Sequence, residues 1–184
     1  RTLLHAAGPD WLGIWDDTDS VRIWDITNGA EVAQFQLGTN TPLHLALSPD
    51  GRLLATVSKD HELRQWDTRT GRESCPPVRL SPRREKRVGH GSPFGVWFSP
   101  DSARVVVSCY FDEISVFTPG TTNRLFTIDD DANAMRIAFS RNGRMLATGG
   151  GFGSVRLWNA FDGTPLSGRL LQDGATVSIE FSPD

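Results

Sequence analysis

The chain has 184 residues, 38% hydrophobic and 22% charged, with a formal net charge of −3. This is a soluble globular composition, with no run of about 18 apolar residues to span a bilayer and no bulk positive field to draw it to nucleic acid or anionic membrane. The first residues, RTLLHAAGPDW, lack the apolar core of a signal peptide, and two cysteines, Cys75 and Cys109, make no disulfide framework; reduced thiols and a cytoplasmic setting are expected.

In chain order, short β-type runs alternate with turn residues. Residues 1–38 hold strands at Leu3 to Ala7, Leu12 to Trp15, Val21 to Asp25 and Glu31 to Leu37. Residues 39–89 hold the alternating Leu43, Leu45 and Leu47, then Leu53 to Ser58, then a strand ending at Trp66-Asp67. An insertion from Cys75 to Arg87 follows; its three prolines and five cations predict an exposed loop. Residues 90–131 hold Phe94 to Phe98, Val105 to Val107, Ile114 to Phe117 and Leu125 to Ile128. Residues 132–173 hold Met135 to Phe139, Met145 to Thr148, Val155 to Trp158 and Arg169 to Leu171, and Val177 to Phe181 opens a further unit over 174–184.

These units are repeats. Ser48-Pro49-Asp50-Gly51 is answered by Ser99-Pro100-Asp101, Ser140-Arg141-Asn142-Gly143 and Ser182-Pro183-Asp184. From Ser48 to Trp66, from Ser99 to Phe117 and from Ser140 to Trp158 the distance is 18 residues each time. A fixed period with Trp-Asp endings and a Gly89-His90 start resembles the WD-repeat β-propeller family, in the style of bacterial arrays. The resemblance implies an all-β fold of four-stranded antiparallel blades. Four blades and one strand of a fifth make an incomplete ring, since propellers close with roughly 4–8 blades and this family usually with about seven.

The same resemblance places Gly89-His90, Ser108, Asp112 and Phe117 near the positions of the family's structural His–Ser–Asp–Trp tetrad. Ser58, Asp60 and Trp66 match it in the second blade, with Thr39 where histidine is expected. A hydrolytic triad needs an exposed nucleophile beside its base, so these residues read as blade-internal structure and no catalytic residue is assigned. Gly149-Gly150-Gly151-Phe152-Gly153 is no phosphate loop, because no Gly-Lys-Ser/Thr follows; it reads as a hairpin turn. Asp129-Asp130-Asp131 lacks calcium-loop spacing and reads as a solvated acidic patch. No cofactor or metal is expected. By resemblance, the rim that commonly binds partners carries Lys59, His61, His90, Tyr110, Phe111, Asp130 and Phe152. The expected function is a non-enzymatic scaffold presenting loops to a protein or peptide, with no membrane partner and nucleic acid not expected. Further blades of a longer chain or a second copy are expected partners. The alternative is a regulatory segment of a larger bacterial signalling enzyme with a protein kinase or NTPase domain.

Overall fold

The computed structural model describes residues 4–7, 10–16, 20–37, 41–80, 93–109, 113–130, 134–151, 153–171, 173–176 and 178–182. Their regular structure is all β. The first sheet is β1 (Leu4–Ala7), β2 (Trp11–Trp15), β3 (Ser20–Asp25) and β4 (Ala30–Gln36), paired in chain order. The second is β5 (Pro42–Leu47), β6 (Leu53–Ser58), β7 (Glu62–Asp67), β8 (Arg72–Glu73) and β9 (Val78–Arg79), the last two both pairing with β7. The third is β10 (Pro93–Phe98), β11 (Val105–Cys109), β12 (Ile114–Phe117) and β13 (Arg124–Ile128). The fourth is β14 (Ala134–Phe139), β15 (Met145–Gly150), β16 (Ser154–Asn159) and β17 (Leu170–Leu171). Every pairing is antiparallel. The first strands β1, β5, β10 and β14 lie side by side in that order, so the sheets are blades of a propeller that does not close.

The turn serine explains why the sequence folds this way. The Ser48 hydroxyl donates to Asp50 Oδ1 at 2.6 Å and accepts the Leu53 N–H at 2.9 Å, while Asp50 Oδ1 accepts the Arg52 N–H at 3.1 Å. One short side chain and one carboxylate thus satisfy donors that the β5–β6 hairpin leaves without a ladder partner. Ser99 with Asp101, and Ser140 with Asn142, repeat the same set of bonds. The fourth turn residue is left-handed each time: Gly51 at φ 72°, Gly143 at φ 67°, and Ser102 at φ 57°. Ser102 is strained there, but its Oγ accepts the Asp50 N–H of the neighbouring blade at 3.2 Å, a bond glycine lacks.

The core lies between blades. Ala55, Val57 and Leu63 of the second blade pack with Val105, Val107 and Phe117 of the third; Val106, Ile114 and Val116 pack with Ile137, Leu146 and Trp158 of the fourth. A strand covered on both faces loses its in/out alternation, as in β11, where all five residues are buried.

The structure corrects three local expectations. The Cys75–Arg87 segment is not loop throughout: Val78 and Arg79 pair with Leu63 and Glu62, and Leu80 is buried against the second-blade core. The outer strand is interrupted at Cys75-Pro76-Pro77 because proline has no N–H for the ladder, and residues 81–92 lie outside the described set. Gly149 and Gly150 belong to β15 rather than to the turn. A Cβ on Gly149 would sit 2.4 Å from Thr176 Cγ2, so close packing is what requires glycine there. Residues 178–182 take no place in a sheet, although Ile179 and Phe181 alternate as a strand would. Alternation sets which face is apolar, and a strand needs a ladder partner as well.

Candidate interaction surface

With the four strands of each blade lettered a to d in chain order, the b–c turn of the second blade, between β6 and β7, shows how the rim is held. His61 has φ 57°, its N–H donates to the Ser58 carbonyl at 3.1 Å, and its carbonyl accepts the Leu80 N–H at 2.7 Å. The turn is therefore fixed both from within and by the outer strand. Lys59 and Asp60 stand exposed on it and His61 is half-buried. Below it, the Arg64 guanidinium bonds Glu62 Oε2 at 3.0 Å and Glu73 Oε1 at 2.6 Å, bridging neighbouring strands of the blade.

Asp130 is not a rim residue. It is 5% exposed, and its Oδ2 accepts the Thr148 hydroxyl at 2.5 Å; Thr148 Oγ1 in turn accepts the Trp158 Nε1–H at 2.9 Å. The Asp129–Asp131 stretch is therefore not a uniformly solvated patch, since Asp129 is exposed but Asp130 is a member of a buried chain of hydrogen bonds. His90, Tyr110, Phe111 and Phe152, together with Thr39, Gly89 and Asp112, lie outside the described residues.

The polar network is offset from the one the resemblance implies. In the second blade Trp66 Nε1 donates to Thr56 Oγ1 at 3.3 Å, not to Ser58. Trp66 pairs directly with Leu54, so Thr56 is its diagonal neighbour on the same face, whereas Ser58 lies four residues, ~13 Å, along the strand. The Ser58 hydroxyl is buried and finds no hydrogen-bond partner among the described residues, and Asp60 is exposed. Ser108 donates to the Ala134 carbonyl at 2.5 Å and so ties the third blade to the fourth. Val107 and Phe117 hold the third-blade places of Thr56 and Trp66, replacing a polar pair by an apolar one.

One feature near the first strands went unpredicted. Leu45, Ala46, Leu47 and Pro49 of the second blade face Val96, Trp97 and Phe98 of the third across a cleft of about 300 Å³. On the same strand His44 is half-buried near Pro93, with Arg136 close by. Desolvation lowers its pKa; the hydrogen bond to the Pro93 backbone opposes this, and the Arg136 charge adds to the lowering. The folded form therefore prefers neutral imidazole. His44 supports stability above the unfolded value near 6.5 and ceases to as pH falls through its lower folded value. A melting series from pH 7.5 to 5.5 is expected to show a fall that His44→Gln flattens. An unchanged slope would mean that His44 is not its source.

At the ends of the strands away from the β6–β7 turn, Asp67 Oδ1 accepts the N–H groups of Arg69 and Thr70 at 3.0 and 2.8 Å. Asp25 does the same for Thr27, and its carboxyl is held below the usual range chiefly by the Thr27 hydroxyl and N–H. The aspartate after the tryptophan is thus a turn cap. Among the described residues no group of three or more His, Cys, Asp or Glu is placed to hold a metal ion, and no helix is long and apolar enough to cross a membrane.

Repeated serine-capped hairpins, tryptophan–threonine pairs and aspartate-capped turns, set in four blades, define a repeat propeller. The WD40 family model, described as WD domain, G-beta repeat, matches residues 32–67 and 123–159. The chain therefore carries WD repeats in these two segments. Each matched segment runs from the outer strand of one blade through three strands of the next, β4 to β7 and β13 to β16. The chain is 45% identical to mouse coronin-7 over 66 residues, 36% of this chain and 7% of coronin-7. It is 39% identical to Protein groucho of Drosophila melanogaster over 54 residues, 29% of this chain and 7% of that protein. Rat telomerase protein component 1 is 26% identical over 170 residues, 88% of this chain and 6% of that protein. The chain therefore spans less than a tenth of the length of these relatives. Among solved structures, Kuenenia stuttgartiensis hydrazine synthase superposes with a TM-score of 0.71 at 19% identity, covering 94% of this chain and 49% of that one. That likeness concerns the fold alone. WD repeats serve in general as protein-interaction scaffolds.

Proposed function

We propose that this segment is a non-enzymatic scaffold whose rim loops bind a protein or peptide. The observation that carries the reading is the b–c turn of the second blade, which is pinned by the Ser58 carbonyl and by Leu80 while Lys59 and Asp60 stay exposed. A turn ordered before binding loses little entropy on binding. The mechanism is presentation: packed blades hold the loops, and partner specificity resides in side chains such as Lys59, His61, Tyr110, Phe111, Phe152 and His90. Asp130 is withdrawn from that set because it is buried. Lys59→Glu, combined with Tyr110→Ala or Phe152→Ala, is expected to weaken capture of the partner at least ~tenfold, which is above 1.4 kcal/mol, without changing the melting temperature. A partner retained at full affinity by both double variants refutes the rim.

A second reading draws on the relatives' lengths. The chain aligns with 6–7% of proteins far longer than itself. In that reading the blades form a sensor or regulatory segment of a multidomain signalling enzyme with a kinase or NTPase domain. A full reading frame without a catalytic domain would remove it.

A further inference from the structure

The a–b turns of the second, third and fourth blades share one set of bonds but not one acceptor. Asp50 and Asp101 stand in the first two, and Asn142 in the last. The turn hydroxyl reaches the acids at 2.6 Å from Ser48 and 2.5 Å from Ser99, but the Asn142 amide at 2.9 Å from Ser140. The shorter contacts are those of a charged acceptor. An arginine also attends each acid. Arg52 Nε lies 3.9 Å from Asp50 Oδ2, and Arg104 Nη1 lies 3.3 Å from Asp101 Oδ2. Arg144 follows Ser140 by the same step that separates Arg52 from Ser48, but the residue before its glycine is a neutral amide. The fourth turn is thus laid out for a carboxylate that the sequence does not encode.

Asn142 is also placed to acquire one. It is exposed, and the glycine after it carries no side chain to shield the amide carbon from water. Its Oδ1 accepts both the Ser140 hydroxyl and the Arg144 N–H, the latter at 3.0 Å. Two donors on one carbonyl oxygen draw charge from its carbon and stand where an oxyanion would form. The Gly143 N–H donates to the Ser140 carbonyl at 2.8 Å. The backbone nitrogen that could close an imide is therefore engaged, and water is the nucleophile left.

A second Asn-Gly pair, Asn28-Gly29, is arranged the other way. Asn28 Nδ2 donates to Asp25 Oδ2 at 3.0 Å, while its Oδ1 accepts the Ala30 N–H at 2.8 Å. An acid at this position would set two carboxylates against each other, and like charges at that distance resist ionising together. The fourth blade keeps the same balance with the parts exchanged: Asn159 Nδ2 donates to Asp162 Oδ2 at 3.2 Å. Each of these two c–d turns holds one acid and one amide.

We propose that Asn142 is a modification site, hydrolysed by water to aspartate in the folded chain, while Asn28 stays an amide. The water oxygen bonds to Asn142 Cγ, and the Cγ–Nδ2 bond breaks with its electron pair passing to nitrogen. Nδ2 takes both water protons and leaves as ammonium, and no oxidant or reductant is needed. The product carries the acid of the second and third turns, with Arg144 gaining a counter-charge.

Peptide mapping by mass spectrometry of the folded chain, held at mildly alkaline pH, tests the site. Conversion at Asn142 is expected at least ~tenfold faster than at Asn28, with aspartate as the product. The difference should vanish in urea, where both turns are lost. A second measurement does not depend on the reaction. Asn142→Asp is expected to raise the melting temperature, and Asn28→Asp to lower it. An Asn142 that stays an amide or reacts no faster than Asn28 overturns the proposal. So does isoaspartate as the main product in the folded chain, a rate difference that persists in urea, or a lower melting temperature for Asn142→Asp.

Discussion

Thr148→Val is expected to lower unfolding free energy by about 2–4 kcal/mol, read as a shift in the denaturant midpoint at constant slope. The substitution nearly preserves volume, so the loss reports hydrogen bonding. Thr148 is fully buried and is the middle member of the chain from Trp158 Nε1 through its hydroxyl to Asp130. Without the hydroxyl an indole N–H and one carboxylate oxygen both lose a partner inside the protein. A bond lost by a carboxylate costs more than one lost between neutral groups. The second blade supplies the comparison. Thr56→Val removes the 3.3 Å bond from Trp66, behind which no carboxylate stands among the described residues, so a smaller loss of about 1–2 kcal/mol is expected. Equal losses at the two sites would show that Asp130 draws nothing from Thr148.

That difference between blades was not legible in the sequence, although the blades themselves were. The 18-residue spacing from turn serine to aromatic fixes hairpin lengths, and hairpin lengths fix which strands pair. The polar network needs one further level, the register. Ser58 and Thr56 lie on the same face of β6, and only the direct pairing of Leu54 with Trp66 tells which is within reach. Asp130 was misread for a similar reason. Three successive aspartates look solvated as a run, but burial is decided residue by residue, by the direction in which each side chain leaves the chain. A glycine shows the same limit. Gly149 reads as a turn residue, and only the packed structure reveals that it makes room for Thr176. What a repeat encodes within itself is visible in its spacing. What it encodes about its neighbour appears only when the two are packed. Four of the seven expected rim residues fall outside the described segments, so the site stands on the second-blade turn.

Phe117→Ala is expected to cost about 3–5 kcal/mol, the range for truncating a buried aromatic. Phe117 is fully buried, and its ring joins Ala55, Val57, Leu63 and Leu80 of the second blade to Val105 and Val107 of its own. Its loss opens a cavity between blades rather than within one. The melt should therefore become less cooperative as well as lower, with hydrogen exchange rising first along β6 and β11. A single sharp transition, merely shifted, would mean that the blades remain coupled without it. The third blade's choice of an aromatic without a donor has its own check. Phe117→Trp alone is expected to destabilise by about 1–3 kcal/mol, through overpacking and an indole N–H facing Val107. With Val107→Thr added, the arrangement of Thr56 with Trp66 is recreated and part of that loss should return. The coupling between the two changes, measured as a double-mutant cycle, then gives the worth of the pair directly. A cycle with no coupling would mean that the third blade cannot bring the two groups within hydrogen-bond reach.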